Sequence, residues 1–288
     1  MKLSTTTERL QEKFGIYKAI DILSEAGYDA IDFSQTEEKV YAAEHNKDYY
    51  VEIRKYAEDK GLCFNQSHAP FSSSYADEAR TAKRFDEIVL AIKRASYLGV
   101  KNIVVHPCQH LKYDVEGNPE RLFEYNMGFY NRLLPYCEEY GIRVALENMW
   151  QYTGMINHST CSRPAEFIKY IDALNNDAFV GCLDLGHAAL VREDAGDFIK
   201  ALGNKRLQCL HVHDVDGTDD LHTLPYFGGA VNWDKVMKAL AEIDYKGDLT
   251  FEADKFMNDK PDALLADCAC FMAKTGRHLV AQFDKYSK

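Results

Sequence analysis

Residues 181–188, GCLDLGHA, run from small and apolar side chains into an aspartate and, three positions on, a histidine. The same design recurs in VALENMW at 144–150, CLHVHDVD at 209–216 and LTFEAD at 249–254, each placing an oxygen or nitrogen ligand where an apolar run stops. Short runs of this kind read as strands buried on both faces, as in a parallel sheet covered by helices. A charged side chain closing such a strand is costly unless something pairs it. Four interruptions at corresponding places, Glu147, Asp184, His211 and Glu252, point to one shared partner, and a divalent cation is the simplest.

Around these four strings the chain alternates eight strand-like runs, at 2–6, 30–33, 63–68, 102–106, 143–147, 179–184, 207–213 and 248–252, with segments of helical period. Phe85, Ile88, Val89, Ile92, Ala95 and Leu98 share one helix face, and Pro164 suits a first helical turn. A last helix is expected from about 262 to 286. Gly27, Gly61, Gly99, Gly141 and Gly247 stand just before strands, as helix C-caps should. Nothing resembling a linker divides the 288 residues. Eight right-handed βα units close most simply into a single-domain (β/α)8 TIM barrel of the α/β class spanning 1–288. A doubly wound open sheet is the other fold of this pattern, but a glycine-rich phosphate loop does not follow the first strand.

A barrel brings all strand C-termini to one face, so residues a hundred positions apart can share a ligand. His68, His106, His187, His211 and His213 lie at or just beyond strand ends, and Asp220 and His222 sit in the loop that follows; scatter of ten histidines would not produce this. Each has a plainer reading: a strand-end histidine can support a loop, and Asp184 can cap the next helix. Glu147 and Glu252 resist it, since a carboxylate ending a buried strand needs a cation or several donors. His45, His110, His158 and His278 read as loop or exposed residues, and Trp150 and Phe71 as packing or pocket wall. The eight cysteines lack disulfide-framework spacing and read as reduced core residues of a cytoplasmic protein; Cys268 and Cys270 lack a second pair to complete a metal site.

A set of two Glu, one Asp and one His suits one divalent ion, Mn, Co, Mg or Zn. Open positions on it would accept oxygens of a polyol or keto-sugar, polarise the carbonyl and stabilise an enediolate, with Glu147 and Glu252 as base and acid. His68, His106, His213 and Trp150 are the expected substrate-binding residues.

These motifs resemble the xylose isomerase-like TIM barrel superfamily, which holds sugar phosphate isomerases and epimerases, inosose isomerases and dehydratases, and AP endonucleases of the endonuclease IV type. The resemblance covers the whole chain in order: SHAP at 67–70, HP at 106–107, EN at 147–148, Asp184 to His187 as D-x-G-H, His211 to Asp214 as H-x-x-D, and the loop 221–233 with its His, Pro, paired Gly and Asn-Trp. It implies a single-metal site on Glu147, Asp184, His211 and Glu252, with His187 binding substrate. His211 takes the metal position because it precedes Asp214 by three, and His213 is the fallback ligand. Gly217 and Thr153 stand where tagatose- and psicose-type 3-epimerases carry Arg and Glu, which argues against that substrate class. A homodimer or homotetramer is compatible with the resemblance.

The expected function is therefore a metal-dependent sugar or polyol isomerase or epimerase. A dehydratase or lyase of a cyclic polyol or keto acid is the alternative on this scaffold. A trinuclear zinc phosphodiesterase, with Asp220 and His222 as additional metal ligands and extra zinc ions, is the second, and a non-catalytic binding barrel the last. A net charge of −11 and mouth loops such as 112–120 and 214–220, rich in acidic residues, argue against a nucleic-acid partner, whose phosphates need Lys and Arg. The chain also lacks an apolar run long enough for a bilayer and an apolar N-terminal leader core, so neither a membrane partner nor secretion is expected.

Overall fold

The computed structural model describes residues 1–35 and 46–288; His45 lies outside them. Eight parallel strands form the sheet: β1 (Leu3–Thr6), β2 (Ala30–Ser34), β3 (Cys63–His68), β4 (Asn102–Val104), β5 (Arg143–Glu147), β8 (Phe179–Asp184), β9 (Leu207–His211) and β10 (Leu249–Phe251). Each pairs with its neighbours in that order, and β10 pairs with β1. The seam between β9 and β10 is closed by Val212 N donating to Thr250 O at 2.9 Å and Glu252 N donating to Val212 O at 3.2 Å. The cylinder is therefore complete, and the chain folds as the single-domain TIM barrel its βα alternation predicts.

Ten helices surround it: α1 (Glu8–Phe14), α2 (Ile16–Ala26), α3 (Lys47–Asp59), α4 (Glu78–Leu98), α5 (Asn118–Tyr140), α6 (Pro164–Leu174), α7 (Leu185–Leu190), α8 (Ala195–Arg206), α9 (Trp233–Glu242) and α10 (Leu265–Tyr286) among the described residues. Local chemistry sets their ends. Asn46, Asp77, Asp194 and Asn232 each accept from a backbone N–H in the first turn of the helix that follows. Gly27, Gly99 and Gly141 cap α2, α4 and α5 in the left-handed conformation, as expected. Gly247 does not: α9 stops at Glu242, and Gly247 is needed because a Cβ there would meet the Tyr245 hydroxyl at 2.2 Å. Among the described helices, none is long and apolar enough to cross a membrane.

Strand parity decides what faces inward. In β5, Val144 and Leu146 join the main core under the helices, whereas Ala145 joins a small cluster with Val104, Val180, Cys182 and Cys209 inside the barrel. Counting on by two from that inner cluster reaches His106, Glu147, Asp184 and His211. The inner layer of small side chains is thus the floor on which the polar groups stand. Register shifts at Ile31/Asp32 and Gly181/Cys182 adjust β2 and β8 below their inward acids.

Three strands stop short of their expected ends. β4 ends two residues before His106, β9 two before His213, and β10 one before Glu252. An unforeseen hairpin, β6 (Trp150–Tyr152) with β7 (Ile156–His158), fills the loop after β5. All eight cysteines are free thiols, and Cys182 and Cys209 line the inner cluster.

Candidate active site

The strand ends deliver the site's groups in chain order, and one carboxylate organises the long loop that completes it. Asp214 accepts from the backbone N–H groups of Val215, Tyr226, Ala230 and Val231 and from Trp233 Nε1, at 2.9 to 3.3 Å. Five donors on one buried acid fold residues 215–233 back over the barrel, so that Asp220 and His222 hang above the strand ends. Its place three residues after His211 is thus structural.

His211 is central and fully buried. Its Nδ1 lies 3.2 Å from Glu147 Oε2 and 3.1 Å from Glu252 Oε2, and its Nε2 lies 3.8 Å from Asp32 Oδ2. One atom each from Glu147, Asp184, His211 and Glu252 falls within 4.8 Å of the others. Asp184 does two jobs: Oδ1 caps α7 through His187 N at 2.7 Å, while the carboxylate also meets His213 Nε2 at 2.9 and 3.0 Å. The capping and ligand readings of Asp184 do not exclude one another.

Two further clusters flank the first. His68 Nε2 approaches His106 Nε2 at 3.2 Å, and His106 Nε2 lies 3.3 Å from Glu147 Oε2. On the other side, His187 Nδ1 donates to Asn148 O and His222 Nδ1 to Glu252 O, each at 2.9 Å. A carbonyl can only accept, so both imidazoles are held with Nε2 turned towards Asp220, at 3.6 and 2.9 Å. His213 is fully buried, stacked on His222 with ring centroids 4.2 Å apart.

Burial and proximity split the titrations. Burial pushes the Glu252 carboxyl up to about 8. It pushes Glu147 the same way, but His211 and His106 outweigh it and hold Glu147 well below the usual carboxylate range. Burial opposes charge on His222, yet Glu252 and Asp220 raise it to about 9. His68 has burial and two neighbouring imidazoles against it and is held well below the ordinary histidine value.

A cavity of about 340 Å³ opens above these groups, lined among others by His68, His106, Glu147, Trp150, His187, Asp220, His222 and Glu252. Asp184, His211 and His213 lie beneath it. Neither Lys nor Arg lines it among the described residues. Phe71 also lines it, at the mouth, while His110 and His158 bond Ser74 and Ser162 away from it.

Three roles escaped the sequence reading. Asp32, fully buried in β2, backs His211 and is held by Gln66 Nε2 at 2.8 Å. Its signal was present, an acid at inward parity between Ile31 and Phe33. Asn148 bonds the Asp184 backbone at both N and O (2.7 and 2.9 Å) and also receives His187. Glu8 lines the cavity from the first residue of α1, and no pattern marks it.

The donor chemistry fits a divalent cation. His211 Nδ1, Glu147 Oε2, Glu252 Oε2 and Asp220 Oδ1 are buried without a hydrogen-bond partner among the described residues. Acceptors crowded this closely are costly unless a cation or protons join them. His187, His213, Asp220 and His222 form a second group within 4.8 Å of one another, and His68, His106 and Glu147 a third.

Comparison with known proteins agrees with this architecture. Residues 20–274 match the family model described as xylose isomerase-like TIM barrel. An uncharacterized protein of Methanocaldococcus jannaschii is 30% identical over 217 residues, covering 74% of this chain and 70% of its own. A probable endonuclease 4 of Metamycoplasma arthritidis is 26% identical over 192 residues, covering 59% and 62%. Among solved structures, a D-tagatose 3-epimerase-like protein superposes with TM-score 0.77 at 20% identity over 100% of both chains. The protein IOLI with a bound zinc atom gives 0.78 at 19% identity over 99% of each. The chain therefore belongs to the xylose isomerase-like TIM barrel family.

Proposed function

We propose that this protein is a divalent-metal-dependent epimerase or isomerase of a small keto-sugar or polyol. The observation that carries the reading is the pair Glu147 and Glu252, each within 3.2 Å of His211 Nδ1 at the floor of a cavity of about 340 Å³. Glu147, Asp184, His211 and Glu252 would hold the ion. A bound divalent cation would supply Lewis-acid polarisation of a substrate carbonyl and an adjacent hydroxyl. Glu147 and Glu252 then take a proton from the carbon beside that carbonyl and return one to it. His68, His106, His187 and Trp150 would orient the hydroxyls, while His213 acts from beneath by fixing Asp184 and His222. A cavity of this size suits a small ligand, and a wall without Lys or Arg suits one that carries no phosphate.

The test is a panel of ketohexoses incubated with metal-loaded protein in D₂O and followed by NMR. Deuterium appearing at the carbon beside the carbonyl supports the reading. Product formed without solvent hydrogen would rule out proton transfer.

A second reading has a specific observation behind it. Three of the four ligand groups among the described residues together offer the donors for three ions, and a relative carries the name probable endonuclease 4. The cavity wall and the net charge of −11 favour the sugar. Metal content decides: one ion per chain fits the epimerase, whereas three ions with cleavage of an abasic DNA duplex fit the phosphodiesterase.

A further inference from the structure

The reaction cavity does not end at its own wall. A second lobe of about 280 Å³ adjoins it, sharing Glu8, His222 and Glu252 as lining and extending under Arg9, Glu12, Asp254, Lys255 and Asn258. These come from α1 and the segment after β10, so the lobe lies over the β10–β1 side of the mouth.

Every residue lining it carries a polar head, and their carbon stems face it as well. Arg9, Lys255 and Asn258 offer donors; Glu8, Glu12, Asp254 and Glu252 offer acceptors. Lys255 Nζ donates to Asp220 O at 2.5 Å, which ties this lobe to the loop carrying Asp220 and His222. Arg9 NH1 pairs with Glu12 at 3.1 Å, and its buried Nε has no hydrogen-bond partner among the described residues. A phosphate or carboxylate would want donors only. An apolar aglycone would strip water from these charged heads and give no hydrogen bond in return. A group that both donates and accepts at several positions satisfies the lining, and a sugar ring's hydroxyls do so.

We infer that this lobe is a second-sugar subsite, so that the substrate of the reaction proposed above is a two-unit sugar: a keto ring over Glu147 and Glu252, joined to a glycosyl unit between Arg9 and Asn258. The inference rests on the epimerase or isomerase reading for the keto ring; the subsite itself rests on the lobe.

The probes are D-fructose and its reducing glucosyl derivatives isomaltulose and turanose. Solvent deuterium exchange on metal-loaded protein should favour a glucosyl ketose over fructose by at least tenfold in kcat/KM, and Arg9→Gln or Asn258→Ala should reduce that preference below threefold. Saturation-transfer NMR on metal-free protein gives an independent readout, in which the glucosyl ring should receive saturation in the wild type and lose it in either variant. A preference for fructose, or one unchanged by both variants, would overturn the subsite. Exchange with none of the three sugars would sink the proton-transfer reading instead, and saturation of the glucosyl ring would then still decide the lobe.

Discussion

The carboxylate of Asp32 stands 3.8 Å behind the His211 imidazole, on the Nε2 side, while Nδ1 faces Glu147 and Glu252. An acid there favours a proton on Nε2 and so leaves Nδ1 as the ligand atom. Asp32 is in turn anchored by Gln66, which also accepts from Thr250 at 3.4 Å inside the barrel.

Asp32→Asn should therefore weaken divalent-metal affinity about 10- to 100-fold without unfolding the barrel. A chelator competition, read by metal content after dialysis, checks this. Affinity equal to wild type would show that Asp32 does not tune His211.

Glu147→Gln and Glu252→Gln each keep shape while removing a proton acceptor. Either should cost at least about a hundredfold in kcat, with circular dichroism unchanged. Wild-type turnover in either variant would refute the assignment of that glutamate.

Gly186 is held by packing. A Cβ there would sit 2.1 Å from His213 Cε1, and His213 is clamped between Asp184 and the stacked His222 ring. Gly186→Ala should destabilise the fold by about 1–3 kcal/mol. A melting temperature matching the wild type would mean that His213 can move aside.

Outside the site, burial raises the Glu166 carboxyl to about 7, against hydrogen bonds from Tyr113 and the Cys161 backbone that pull it down. The folded chain then binds more protons at Glu166 than the unfolded chain between the ordinary value of 4.5 and about 7. Stability from this group is complete below 4.5 and is lost as pH rises through 7. Glu166→Gln should match wild type at pH 4.5 and exceed it by about 2 kcal/mol at pH 8, a figure allowing for partial exposure. Urea midpoints at both values test it; an equal difference at the two would remove Glu166 as the titrating group.

Much of the barrel was legible because its signals are local. An apolar run closed by Glu147, Asp184 or His211 reports both a buried strand and its C-terminal end, and glycines such as Gly27, Gly99 and Gly141 report where helices stop. Gly247 misled because close approach to Tyr245 leaves the same residue type as a left-handed cap does. The β6–β7 hairpin was missed because three-residue strands are too short to show a period. Asp32 was overlooked although its parity in β2 was readable; what hid it was the lack of a following loop motif.

By itself the sequence determined that acids and imidazoles end the strands of a closed βα cylinder, since apolar runs stopped by a charge, and helix caps, are written into consecutive residues. Only the tertiary structure decided which of them meet. Convergence of Asp32, Glu147 and Glu252 on the single imidazole of His211 depends on barrel closure and strand register, and the donors that Asp214 gathers decide where Asp220 and His222 hang. Those are distances between segments far apart in the chain, set by packing.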